Sequence, residues 1–163
     1  MTQALAAHLN ALSEPQARAT LTRCCGAPRW VERMLATRPF TDDAAVHTTA
    51  EWTWWELSRD EWLQAFTAHL RIGERPREEW ADREQAGMRT AAQATRRALE
   101  VGNRAYEERF GHMFLICASG RSAAEMLNEL RRRLGNDPAE ELRVAAGEQA
   151  KITRLRLERL VEP

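Results

Sequence analysis

Lysine is almost absent from this chain: Lys151 stands alone among 24 basic side chains, the rest being arginine. Those 24 are balanced by 24 acidic residues. No net positive field exists to draw in nucleic acid or an anionic membrane surface, and neither is expected as a partner. Apolar runs are short, none nearing the roughly 20 residues that a membrane-spanning helix needs. The opening MTQALAAHLNALSEP has no basic segment leading into an apolar block, so no secretory leader is expected. The final Val161-Glu162-Pro163 is not the peroxisomal tripeptide. Three cysteines, with Cys24 and Cys25 adjacent, give neither a disulfide framework nor a zinc spacing. Reduced thiols and a cytoplasmic location fit that usage.

Motifs for cofactors are missing too. His8, His47 and His112 show no metal-ligand spacing among themselves or with the cysteines, so no metal is expected. Walker loop, GxGxxG and GxSxG are all absent. An enzyme built on this chain is expected to carry out acid–base chemistry with no cofactor.

What is present is ordinary globular material. Of 163 residues 44% are apolar and 29% charged, enough for one domain burying about 70% of its unfolded surface. Nearly every segment reads as helix, and the expectation is an all-α fold, a single compact domain of about eight helices over residues 1–163. Leu5, Leu9 and Leu12 recur at helical spacing. Ser13 caps a second helix with Pro15 in its first turn, and Gly26 and Pro28 break it. Trp30, Val31, Met34 and Leu35 mark a third, ended by Arg38-Pro39-Phe40. Thr41 is the expected cap of the next, with Asp42 and Asp43 favouring its dipole. Trp52, Trp54, Trp55 and Trp62 then read as core and interface filling.

Ser58 and Glu61 form a capping box, and the helix they open is expected to reach His69. The longest helix is placed at about Asp82 to Arg109, ended by Gly111. Phe114 to Ala118 is too short for periodicity to decide between a buried strand-like piece and a first helical turn. Ser122 and Glu125 form a second box, opening a helix through Met126 and Leu130 that stops at Gly135. Asp137-Pro138 starts the last helix, which runs to about Leu160.

A charged or polar side chain inside an apolar stripe must snorkel, pair, or serve chemistry. Three residues fit that description. His69 lies three residues after Phe66 and seven after Trp62, so it shares their face. Glu84 heads the face bearing Met88, Ala91, Thr95 and Leu99. Arg156 sits between Ile152 and Leu160. Each position also suits a structural role: a satisfied histidine at a helix exit, a carboxylate on a helix dipole, an anchor for a helix C-terminus. Spacing alone leaves those alternatives open.

Longer motifs go further. HLRIGERP around His69, REQAG around Glu84, NRAYEERFGHMFLICASGRS from Asn103, EQAKITRLRLERL near the C-terminus and the RPF at Arg38 resemble the 2-oxo-4-hydroxy-4-carboxy-5-ureidoimidazoline (OHCU) decarboxylase family. The blocks fall in that family's order and spacing over nearly the whole chain. The resemblance implies an all-α, cofactor-free homodimer. Its reaction would convert OHCU, a small-molecule substrate, to (S)-allantoin in urate catabolism. Urate oxidase or hydroxylase and 5-hydroxyisourate hydrolase would be the functional neighbours. It further implies His69 as the general acid, completed by Glu84 and Arg156. The substrate would be lined by Leu70, by Ala81, Asp82, Arg83, Glu84 and Gln85, and by Phe114, Leu115, Ile116, Cys117 and Ala118.

Two positions depart from the family pattern. Leu70 stands where proline usually follows the histidine, adding bulk and an N–H at the pocket wall. Ala81 stands where serine is frequent, removing a hydroxyl whose hydrogen bond would contribute roughly 0.5–1.5 kcal/mol. These departures motivate two alternatives: a non-catalytic dimeric helical relative binding a purine-derived ureido ligand or a partner enzyme, and a decarboxylase shifted to a related substrate.

Overall fold

The computed structural model describes residues 4–69 and 93–162. Among them are eight helices and no strand: α1 (Leu5–Ala11), α2 (Glu14–Cys24), α3 (Pro28–Thr37), α4 (Asp43–Glu56), α5 (Arg59–Phe66), α6 (Gln93–Phe110), α7 (Ala123–Arg133) and α8 (Pro138–Arg159). The all-α expectation holds. The expected start of the longest helix near Asp82 lies outside the described residues.

Local signals account for most helix starts. Ser13, Ser58 and Ser122 each accept the third backbone N–H of their helix, while Gln16, Glu61 and Glu125 return a bond to the cap. Both orphan donors are thereby satisfied in three separate capping boxes. Ser122→Ala should cost about 1 kcal/mol, read as a lower urea midpoint with an unchanged slope. Thr41, however, is not the cap of α4. Asp42 accepts from the Ala45 N–H at 2.7 Å. Asp43 looks elsewhere, taking the Ala6 N–H at 2.8 Å.

The chain gathers into two compact units, formed by the described residues of Met1–Ala68 with Ala150–Pro163 and of His69–Gln149. In the first, Trp30 is fully buried and donates from Nε1 to the Ala50 carbonyl at 3.0 Å. Trp54 is buried beside Phe66 and the half-buried Trp62, which donates to the Trp54 carbonyl at 2.9 Å. The tryptophans are only partly core, since Trp52 and Trp55 are exposed. The loop after α3 is tied back to α1: Arg38 donates to the Leu9 and Leu12 carbonyls, and Asn10 pairs with Phe40 through both backbone groups.

In the second unit α6 packs on α7 around Leu99, Tyr106, Phe110, Met126 and Leu130. Gly102 permits the close approach, because a Cβ there would collide with Leu130. Gly111, at φ +77°, takes the left-handed turn that stops α6.

Candidate active site

α5 ends sooner than its apolar spacing suggests. Its last residue is Phe66; Thr67 caps it with N–H bonds to Ala65 and Leu63 carbonyls. His69 therefore stands beyond the helix, in a bend, and does not share the face of Trp62 and Phe66 by helical register. Its half-buried ring is held across a long sequence separation instead. Nε2 lies 2.5 Å from Gln149 Oε1 on α8.

Phe114 to Ala118 proves to be neither strand nor helix. It is an irregular run in which Phe114, Leu115, Ile116 and Ala118 are buried and Cys117 is half-buried. Buried backbone outside helix or sheet must find other partners; two are side chains. The Leu115 carbonyl accepts from Arg133 Nη1 at 2.8 Å, and the Cys117 N–H donates to Glu148 Oε1 at 3.3 Å. Glu148 is itself buried and lies 3.9 Å from the Arg121 guanidinium.

Arg133 belongs to a network whose core, with Glu141 and Tyr106, is fully buried. Its Nε bonds Glu141, which also accepts from the Tyr106 hydroxyl at 3.0 Å and the Asn136 amide at 3.3 Å. The guanidinium lies 4.6 Å from the centre of the Phe114 ring and 5.9 Å from that of Tyr106. Burial above all, with Glu141 adding to it, pushes the Tyr106 phenol well up, so it stays a neutral donor. Paired charges of this kind, with both side chains at 0% exposure, need such a set of hydrogen bonds to offset desolvation.

Arg156 is half-buried on α8 and donates from Nη1 to the Arg23 carbonyl at 3.0 Å, in the last turn of α2. Beside it Thr153 donates to the Cys24 carbonyl at 3.3 Å. Both bonds satisfy carbonyls that a helix end leaves without intrahelical partners. The Cys25 thiol next to them is pushed up to about 11, chiefly by burial.

Within the second unit, then, the structure joins His69 to Gln149, and Phe114 to Ala118 to Glu148 and Arg133. Arg156 is described in the first unit, doing the anchoring work that its position also allowed. Leu70 and Ala81 to Gln85, including Glu84, lie outside the described residues. Ser122 acts as a cap, and no cluster among the described residues has the makings of a metal site. Glu141, Glu148, Gln149 and Arg133 escaped the sequence reading. A signal existed: Met126, Leu130 and Arg133 share helical spacing, as do Glu141, Ala145, Glu148 and Ile152, so all three charged residues lie in apolar stripes.

Comparison with known structures sets the class first. The crystal structure of (S)-allantoin synthase superposes with a TM-score of 0.73 over 96% of this chain and 54% of that one, at 16% identity. That likeness defines a shared all-helical fold. A crystal structure of OHCU decarboxylase in the presence of (S)-allantoin is nearer: 36% identical, TM-score 0.78, covering 86% of this chain and 95% of that one. The family model for OHCU decarboxylase matches residues 10–158, and the chain belongs to that family.

Among curated relatives, the uric acid degradation bifunctional protein TTL of Arabidopsis thaliana is 37% identical over 146 residues, 84% of this chain and 45% of the relative. The 2-oxo-4-hydroxy-4-carboxy-5-ureidoimidazoline decarboxylase of Amia calva is 36% identical over 93 residues, 57% of this chain and 53% of the relative. The chain thus spans about half the length of the curated relatives it matches.

Proposed function

We propose that this chain is an OHCU decarboxylase, converting its substrate to (S)-allantoin in urate degradation with no cofactor. The observation carrying the proposal is the near-complete match to a solved OHCU decarboxylase at 36% identity. His69 is the general acid, Glu84 and Arg156 complete the set, and Leu70, Ala81 to Gln85 and Phe114 to Ala118 line the substrate. The protein works as one helical domain, paired as a cytoplasmic homodimer; the exposed Trp52 and Trp55 suit such pairing because interfaces are enriched in tryptophan. No helix among the described residues is long and apolar enough to cross a membrane.

The chemistry asks for two things. Breaking the bond to the carboxylate leaves its electron pair on the ring carbon, delocalised into the adjacent unsaturated group. A proton must then reach that carbon from one face to give one enantiomer. Histidine, ordinarily near 6.5, is suited to deliver it. A neighbouring carboxylate such as Glu84 favours the charged ring. Arginine offers a planar fork of donors for an anionic or amide-like ligand. The backbone of Phe114 to Ala118, braced by Arg133 and Glu148, can present amide edges to the ureido group.

Generating OHCU in place from urate with the upstream enzymes, and following allantoin by circular dichroism, tests this directly. Enantiopure product formed faster than the spontaneous reaction is expected; racemic product at the spontaneous rate would remove the proposal. Arg156→Lys keeps the charge but loses the fork, and should lower kcat/KM roughly 10- to 100-fold. Glu84→Gln should lower kcat about tenfold or more. Unfolding of the Arg156→Lys protein in place of a kinetic loss would leave Arg156 only its anchoring of α2.

A further inference from the structure

Adjacent residues of α8 grip the two parts of the candidate site in the second unit. Glu148 takes the Cys117 N–H, and Gln149, next along the helix, takes the His69 ring. Gln149 is fully buried, at 0% exposure. A primary amide so placed is costly unless it is bonded, and here its oxygen lies 2.5 Å from a ring nitrogen. A carbonyl oxygen only accepts, so the imidazole Nε2 must donate to it.

We infer that Gln149 is a positioning residue for the decarboxylation: its carbonyl fixes the plane of the His69 ring and keeps a proton on Nε2. Nδ1 is then the nitrogen at which the ring gains and loses its exchangeable proton. The consequence is specific. His69 lies beyond the end of α5, where no helical register sets its angle, and the amide contributes a fixed direction there. Glu148 does the same for the neighbouring backbone. One helical step thereby couples the direction of the acid to the position of the segment proposed to line the substrate.

This inference rests on the decarboxylase reading, and its test separates the two. Long-range proton–nitrogen NMR on the full chain reports the tautomer of each of the four histidines, with His69→Ala assigning the resonance. The expected wild-type result is a neutral His69 ring protonated on Nε2. Gln149→Met, similar in volume but without an acceptor, should give a mixed tautomer and lower kcat roughly 10- to 100-fold, with KM changed less than about threefold. Gln149→Glu keeps an acceptor oxygen at the same reach and should retain the Nε2 proton and most of the turnover.

A wild-type ring protonated on Nδ1 overturns the inference even if Gln149→Met fails to fold. So does a Gln149→Met protein with wild-type tautomer and kcat, or one whose loss lies wholly in KM. A wild-type protein that fails to accelerate OHCU decay, with the tautomer as expected, sinks the decarboxylase reading and leaves the hydrogen bond standing.

Discussion

His69→Ala is expected to abolish most turnover, by about 10²–10⁴-fold, while the protein still folds. That range is what a positioned general acid typically contributes. The structure says why the fold should survive. His69 lies past the last residue of α5, half-buried, and no regular element runs through it. Its removal takes a hydrogen bond from the fully buried Gln149 amide, a loss of roughly 1–3 kcal/mol against a typical domain stability of about 5–15 kcal/mol. Single-turnover rates on OHCU generated in place, together with a thermal melt, measure both halves. Near wild-type turnover would refute His69 as the acid. A collapsed melting transition would assign it the structural role that a helix-exit histidine also suits.

How much of this could be read from the chain follows the range of each interaction. Capping boxes at Ser13, Ser58 and Ser122 close over three residues, and serine followed three positions later by an acid or amide announces them. Thr41 does not cap α4 because Asp42, an equally good cap one residue on, takes the Ala45 N–H, while Asp43 is engaged by the distant Ala6 amide.

The end of α5 is also set by features that local spacing does not carry. Apolar spacing continues to His69 with no glycine or proline until Gly73, whereas the helix stops where Thr67 turns. For Phe114 to Ala118 periodicity could not decide, since the Leu115 carbonyl and Cys117 N–H are held by side chains 18 and 31 residues away. His69 and Gln149 are 80 apart. The family resemblance reached the candidate residues because it carries long-range information that periodicity lacks. It did not announce Gln149, although the EQAK motif contains it.

Breaking the Arg133–Glu141 pair should have the largest effect on stability of any single change considered. Arg133→Met leaves a buried Glu141 carboxylate without its counter-charge, and such losses cost about 3–5 kcal/mol; urea unfolding should show it as a lower midpoint at constant slope. The Tyr106 and Asn136 donors to Glu141 soften the loss without neutralising the charge. Replacing both partners, Arg133→Met with Glu141→Leu, removes the stranded charge and should recover much of the stability, because well-packed apolar substitutes for a buried pair are often neutral or better.

Turnover should not follow that recovery. Arg133 also donates to the Leu115 carbonyl and lies over the Phe114 ring, so the double variant still lacks the group that braces the run proposed to line the substrate. Displacement of that run by about 1 Å corresponds to roughly a hundredfold in rate. A stable double variant with reduced kcat/KM would assign Arg133 two separable tasks, folding the second unit and setting its pocket wall. Recovery of stability and rate together would leave the network only the first, and the wall would then owe its position to Glu148 and to the burial of Phe114 and Ile116.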